Sequence, residues 1–172
     1  MSKMPSLTAV TGFYDVNRIS VDARSRDEYI GWLNETLKLP LPFLVFLDPA
    51  FDASGIRLKT DDRIVRLAKA DLPMFKNRDT IEKIVATSQG ANRRDIAFKL
   101  PEYGMVVMSK PALMKAAAKE TDADFLVWVD AGLSRFYPPN IHDNAKMDSS
   151  VFEGLTLGIN TTLHLSQRLR VA

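Results

Sequence analysis

The amino-acid sequence predicts an α/β fold: a single mostly parallel sheet flanked by helices. Strand-like and helix-like segments alternate along the chain, which favours a sheet covered on both faces. Two continuous apolar runs, residues 43–47 (FLVFL) and 125–129 (FLVWV), are typical of strands buried on both faces. With 172 residues, the chain is long enough for one substantial core. We therefore expect a single α/β domain over residues 1–172.

The first elements form a predicted βαβ unit. Residues 7–14 (LTAVTGFY) are rich in β-branched and aromatic side chains and predict a strand. Ser25 and Glu28 form a capping-box pattern, and apolar residues at helical spacing behind it predict a helix over about residues 26–38. The apolar run 43–47 then predicts the second strand.

The middle of the chain gives weaker signals. Residues 63–67 (RIVRL) fit a short strand or part of a helix. The pair Asp61-Asp62 is interpreted as a solvated helix start or turn. Asp79 and Glu82 give an acidic capping signal for a short helix, and residues 105–108 are a short apolar run.

The last clear elements are a helix and a strand. Ser109 is expected to cap a helix that has Pro111 in its first turn, where proline is tolerated. Residues 123–130 (ADFLVWVD) predict the clearest strand of the chain. After Gly132 the signal weakens, and the tail from Val151 fits either a strand or a helix.

Composition excludes several functional classes. The chain has no cysteine, which removes disulfides, thiolate zinc sites and cysteine nucleophiles. Its net charge is only +2 with no basic stripe, so we expect no nucleic-acid partner. No apolar run predicts a transmembrane segment or a signal peptide. The expected location is the cytoplasm, or the periphery of a membrane.

Three aspartates follow predicted strands: Asp15, Asp48 and Asp130. If the strands are parallel neighbours, these carboxylates collect at the edge where such sheets bind ligands. Asp130 could hold a divalent metal together with nucleotide phosphates, or it could merely cap the next turn. Asp48 could lie beside a nucleotide, although an Asx-Pro turn with Pro49 is the favoured interpretation.

A few basic residues could contact phosphate. Arg24 and Arg26 offer fork-shaped donors, although arginines near a helix start are more often surface residues. Lys110 lies in the first turn of its predicted helix, where it could add a point charge for an anion or simply be exposed. His142, in a polar loop, could complete a metal site. P-loop, G-x-G-x-x-G and G-x-S-x-G signatures do not occur.

Several blocks resemble the HtrL/YibB-like proteins, which are related to WlaTC-type glycosyltransferases. The blocks are residues 8–15 (TAVTGFYD) with Arg18, then Arg26 and Tyr29 leading to residues 42–48 (PFLVFLD), Tyr103 with residues 109–111 (SKP), and residues 125–132 (FLVWVDAG) with Arg135. Their order and rough spacing hold over about residues 7–136. The last two blocks are the most specific.

The resemblance implies a GT-A-like, Rossmann-like nucleotide-diphospho-sugar transferase fold. It implies transfer of a sugar from a nucleotide-diphospho-sugar to a saccharide or lipid-linked acceptor, by a shortened glycosyltransferase domain that could be oligomeric. Asp130 occupies the place of the D-x-D-type motif that binds Mn²⁺ or Mg²⁺, with one acidic residue where that motif has two. The residues implied for the nucleotide sugar are Thr11, Phe13, Tyr14, Asp15, Arg18, Arg26, Asp48, Lys110, Asp130 and Gly132.

Two other functions fit the strand-end aspartate. One is a non-catalytic nucleotide-sugar-binding module that keeps the fold without the reaction. The other is a phosphoacceptor domain of receiver type, which also places an aspartate at a strand end. The acidic pair and the late lysine of that type are not matched in order here.

Overall fold

The computed structural model describes residues 6–88 and 95–136. These residues form one sheet of four parallel strands in the order β3-β2-β1-β4. The predicted α/β class with a parallel sheet is thereby confirmed. The strands are β1 (Leu7–Phe13), β2 (Phe43–Leu47), β3 (Arg63–Arg66) and β4 (Phe125–Trp128).

Helices connect the strands and flank the sheet. The α-helices are α1 (Ile19–Asp22), α2 (Arg26–Thr36), α3 (Arg78–Thr87), α4 (Ile96–Lys99), α5 (Pro101–Met108) and α6 (Lys110–Ala117). Short 3-10 turns cover Lys69–Asp71, Phe75–Asn77 and Leu133–Phe136.

The central strand β1 explains why the apolar runs are continuous. Ala9 pairs with Phe43 on one side and with Val127 on the other. Every residue of β2 is buried, because helices or loops cover both faces of the sheet. A strand in this position needs apolar side chains on both faces, as the sequence shows.

The core has two layers, one on each face of the sheet. On one face, Leu33 and Leu37 from α2 and its end pack on Phe43 and Val45. On the other face, Leu113 and Ala117 of α6 pack with Val10, Leu44 and Phe46. The sheet is therefore packed between α2 on one face and α6 on the other.

Local signals account for some helix starts and fail at others. The Ser25–Glu28 capping box is present with both reciprocal hydrogen bonds, and α2 begins there as predicted. Ser109 is the N-cap residue of α6, with Pro111 in the first turn as predicted, but its hydroxyl makes no capping bond and donates instead to the Met105 carbonyl of the preceding helix at 2.8 Å. The short run 105–108 lies at the end of α5, and residues 63–66 are the strand β3.

Two acidic residues also differ from the prediction. Asp79 does not cap α3, which begins one residue earlier, at Arg78. Asp62 is not solvated: it is buried and accepts backbone N–H bonds from Phe43 at 3.0 Å and Lys59 at 2.8 Å. Asp62 therefore anchors the start of β2, because backbone donors need partners when they are buried.

Contacts divide the chain into two units, Met1–Arg135 and Phe136–Ala172. The sheet and its flanking helices belong to the first unit. The predicted tail elements and His142 lie outside the described residues, so the prediction of one domain over 1–172 stays a prediction. Among the described helices, none combines the length and apolarity that crossing a membrane requires.

Candidate functional site

The sheet contains one point where the chain reverses its direction of strand addition. From β1, the chain continues to β2 and then β3 on one side, whereas β4 joins the other side of β1. The connection after β1 runs to one side and the connection into β4 reaches the other side, so the carboxyl ends of β1 and β4 form the switch point, where open sheets of this type have a crevice. In open parallel sheets this switch point is where ligands bind.

Asp130 lies directly after β4 at this crevice, in contact with two donors. Lys110 Nζ lies 2.5 Å from Asp130 Oδ1, and Trp128 Nε1 donates to the same oxygen at 2.8 Å. Trp128 precedes Asp130 by two positions, and Lys110 begins α6. Because both bonds fall on Oδ1, Oδ2 keeps its acceptor capacity on a side chain that is 59% exposed.

The surroundings of Asp130 keep it ionised. Partial burial by itself raises the pKa of the carboxyl, but the hydrogen bonds from Lys110 and Trp128 act against burial. The positive charges of Lys110 and Arg135 add to this, so the pKa of Asp130 lies below its ordinary value. At neutral pH the site is a carboxylate facing an ammonium.

A second group of charged and aromatic side chains, the Arg18 cluster, follows β1. Arg18 is buried, and its guanidinium donates from Nη1 to the Tyr29 hydroxyl at 2.6 Å and pairs through Nη2 with Asp22. The guanidinium carbon lies 4.5 Å from the centre of the Tyr103 ring. Arg18 Nε and Asp22 Oδ1 have no hydrogen-bond partner within the described part of the chain. The Arg18 cluster thus ties α1, α2 and α5 together above the end of β1.

Tyr29 brings the Arg18 cluster next to the segment that follows Asp130. A side-chain carbon at Gly132 would lie 3.5 Å from the Tyr29 ring and 3.6 Å from the Trp32 ring. A larger residue than alanine at Gly132 would therefore push against the two rings. Glycine allows the chain after Asp130 to approach α2 closely.

The other predicted strand-end acids make local turns. Asp48 accepts from Ala50 N at 3.0 Å and from Lys69 N at 2.8 Å, so each oxygen binds a backbone donor. These two bonds hold the pKa of Asp48 below its ordinary value, against the effect of burial. Asp15 is exposed and accepts from Asn17 N at 2.9 Å. All three aspartates follow parallel strands at one edge, but Asp48 shows the Asx turn that was the favoured interpretation.

The remaining predicted residues are mostly packed into the fold. Thr11, Phe13 and Tyr14 are buried, and the Tyr14 hydroxyl donates to the Leu67 carbonyl at 3.2 Å. Arg26 is exposed, stacks 4.4 Å over the Phe51 ring and donates to the Asp52 carbonyl. The structure therefore joins Lys110 to Asp130 and brings Tyr29, the partner of Arg18, close to Gly132. Arg26 and Asp48 instead bind backbone groups of the loops that follow β2 and β3.

Sequence reasoning assigned no role in the site to several residues that make its contacts. Trp128, Tyr29, Tyr103 and Asp22 hold Asp130 or Arg18 in place. Trp128 carried a usable signal, because residues two apart on a strand point to the same face. Tyr103 had only its place in the resemblance as a signal, since its approach to Arg18 depends on the packing of α5.

A divalent metal does not fit the described side chains as a protein-held site. No group of three or more His, Asp or Glu residues that could hold an ion occurs within residues 6–88 and 95–136. Asp130 already has an ammonium 2.5 Å away. The donor set is thus a weak one for a divalent cation.

Comparison with known proteins gives one family. A family model described as a bacterial protein of unknown function (HtrL_YibB) matches residues 5–162 of the chain. No curated protein and no solved structure matches the chain significantly.

Proposed function

The chain belongs to the HtrL_YibB family, and we propose that it is a glycosyltransferase with a GT-A-like fold. It would transfer a sugar from a nucleotide-diphospho-sugar to a saccharide or lipid-linked acceptor. The observation that carries this proposal is the Lys110–Asp130 pair at the switch point of the sheet, with Tyr29 of the Arg18 cluster close to the following Gly132.

The strand order supports a nucleotide ligand. The order β3-β2-β1-β4 in a parallel sheet puts the switch point at β1 and β4, the position at which doubly wound sheets bind nucleotides. Residues 8–15 and 125–132, the first and last blocks of the resemblance, contribute the two strands of this crevice. The fold and the resemblance therefore favour the same location.

The charges at the crevice suit the chemistry of sugar transfer. In this reaction the bond between the sugar C1 and the diphosphate oxygen breaks, and its electron pair stays on the diphosphate. The acceptor hydroxyl oxygen bonds to C1, and its proton leaves to a base or water. A cation next to the diphosphate lowers the barrier by stabilising the charge that develops there. Lys110 is one proposed source of this charge; Mn²⁺ or Mg²⁺, for which Asp130 would be the protein ligand, would be the alternative source.

Binding of nucleotide-diphospho-sugars tests the proposal directly. We expect one of the UDP-, GDP- or dTDP-linked sugars to raise the melting temperature of the purified chain, both with EDTA and with MnCl₂ present. The response should be weaker in Lys110→Met and unchanged in Arg63→Gln, which alters an exposed residue at the opposite edge of the sheet. If no donor shifts the wild-type melting temperature in either buffer, the proposal is wrong.

Turnover separates the enzyme from the binding module. We expect slow release of the nucleotide diphosphate from the stabilising donor, because water can replace the acceptor hydroxyl. The release is measured by an assay for the free nucleotide. Stable binding without any release, even with glycan and lipid-linked acceptors added, would favour the non-catalytic module instead.

A further inference from the structure

We propose that Lys110 itself provides the cation that meets the donor diphosphate, so that nucleotide binding at this crevice needs no divalent metal. This inference rests on the proposed function and names the charged group of the same site. Asp130 would then act as the partner that holds Lys110 in place before the donor arrives, with Trp128 as the residue that positions Asp130.

The first argument concerns the oxygen ligands that the site offers to a metal ion. A hard divalent cation prefers several oxygen ligands, and a site with one carboxylate depends on the substrate for the rest. Asp130 is the single carboxylate at the end of β4, and its Oδ1 already accepts from Lys110 and Trp128. The described residues therefore offer a metal only Oδ2, next to a positive charge that repels it.

The second argument is the position of Lys110. It is the first residue of α6, an eight-residue helix with Pro111 in its first turn. Its ammonium is a compact point charge on a flexible stem, which suits contact with a phosphate oxygen. The Lys110 side chain is 29% exposed, so a phosphate can reach the ammonium from solvent.

The third argument is that the Lys110–Asp130 pair can open. Ion pairs with a largely exposed partner stabilise proteins little, so moving the ammonium from Asp130 to a phosphate is a small change in the protein. Trp128 Nε1 would keep its bond to Asp130 Oδ1 when the lysine leaves. The Trp128 ring lies 5.4 Å from Nζ and limits where the ammonium can move.

Calorimetric titration with UDP and GDP, each in EDTA and in MgCl₂ or MnCl₂, tests the inference. The dissociation constant of the nucleotide that binds should agree within about threefold between buffers, since tenfold corresponds to about 1.4 kcal/mol. Lys110→Met should weaken binding by about 10- to 150-fold in EDTA, the range for losing one charged hydrogen bond. Lys115→Met, in the same helix, is the matched control and should leave binding unchanged.

Asp130→Asn separates the two possible roles of the aspartate. With Lys110 as the cation, the amide frees the ammonium, and binding in EDTA should stay within about threefold of wild type. Titration of Mn²⁺ alone, followed by its electron paramagnetic resonance signal, should show no bound ion in the wild-type chain. Circular dichroism and melting temperature confirm that each variant is folded.

The outcomes that would overturn the inference are distinct from failure of the proposed function. Nucleotide binding that appears only with a divalent metal, or that Asp130→Asn abolishes, would refute the role of Lys110 and leave the glycosyltransferase proposal standing. Unchanged binding in Lys110→Met would refute it as well. Absence of nucleotide binding in every buffer would refute both.

Discussion

Two aspartates with lysine neighbours lie on opposite sides of the same sheet. One lies at the amino ends of the strands, the amino edge, and the other at their carboxyl ends, the carboxyl edge. At the amino edge, the Asp62 side chain is fully buried, binds two backbone N–H groups, and has Lys59 Nζ at 3.3 Å. At the carboxyl edge, the Asp130 side chain is 59% exposed, and both of its hydrogen bonds fall on one oxygen. The residue types are the same, but the number of backbone partners differs.

This difference shows which edge is built for structure and which can accept a ligand. Each oxygen of Asp62 binds a backbone donor that would otherwise be buried without a partner, so the carboxylate completes the fold. Asp130 binds only side chains, which can move without disturbing the backbone. The comparison predicts large stability effects at the amino edge and small ones around Asp130.

The largest expected effect is at Asp62. Asp62→Ala should lower the free energy of unfolding by about 3 kcal/mol, because it leaves two backbone donors at the start of β2 unsatisfied. Urea denaturation measures this loss. Asp61→Ala, one position away on an exposed residue, is the control and should change stability by less than about 0.5 kcal/mol. A loss below about 1 kcal/mol in Asp62→Ala would undermine the comparison.

The second-largest effect is expected at Arg18, and it tests whether charged side chains at the carboxyl edge also stabilise the fold. Arg18→Met should lower the free energy of unfolding by about 2–3 kcal/mol, because the Tyr29 hydroxyl and Asp22 lose a buried donor. Arg24→Met is the matched control, since Arg24 contacts Asp22 only at 3.5 Å and is more exposed. Equal losses in the two variants would show that burial of Arg18 contributes nothing specific.

The fold was predictable where the signal is local or where burial is complete. The run 43–47 predicted β2 because both of its faces are buried, and the Ser25–Glu28 box predicted the start of α2 because its bonds lie within one turn. The strand order was not predictable, since it depends on pairing between distant segments. Burial of Asp62 was missed for the same reason: its partner, Phe43 N, lies 19 positions away.

The third effect is a small change in stability at Asp130. Asp130→Ala should change the free energy of unfolding by less than about 1 kcal/mol, because its ion pair is largely exposed. Urea denaturation in parallel with Asp62→Ala gives the direct comparison. A loss as large as that of Asp62→Ala would mean that the two edges do not differ as proposed.

The smallest effect is in pH dependence. Lys110 and Trp128 hold the pKa of Asp130 below its ordinary value, so the stability that this group contributes is present above the unfolded pKa. It is lost as the pH falls through the lower, folded pKa, and it does not vary near neutral pH. In a carbon NMR titration, Lys110→Met should raise the pKa of the Asp130 carboxyl. An unchanged value would mean that the contact is not formed in solution.

The candidate site was predictable in its members more than in its contacts. Asp130 and Lys110 were each singled out, one as a strand-end acid and the other as a first-turn lysine. Their contact spans 20 positions and depends on how α6 returns to the end of β4. Tyr29 and Tyr103 reach Arg18 from opposite faces of the sheet, an arrangement that no linear pattern encodes.

The late position of β4 has a consequence for the order of folding. β1, β2 and β3 pair with partners close in sequence, whereas β4 joins β1 through contacts such as Ser6 with Asp124, which are 118 positions apart. Contacts of such separation close large loops and form slowly. During synthesis, the first three strands emerge well before β4 does. The crevice is therefore complete only after β4 has paired with β1. A ligand at this crevice would then bind only to chains whose sheet has formed in full.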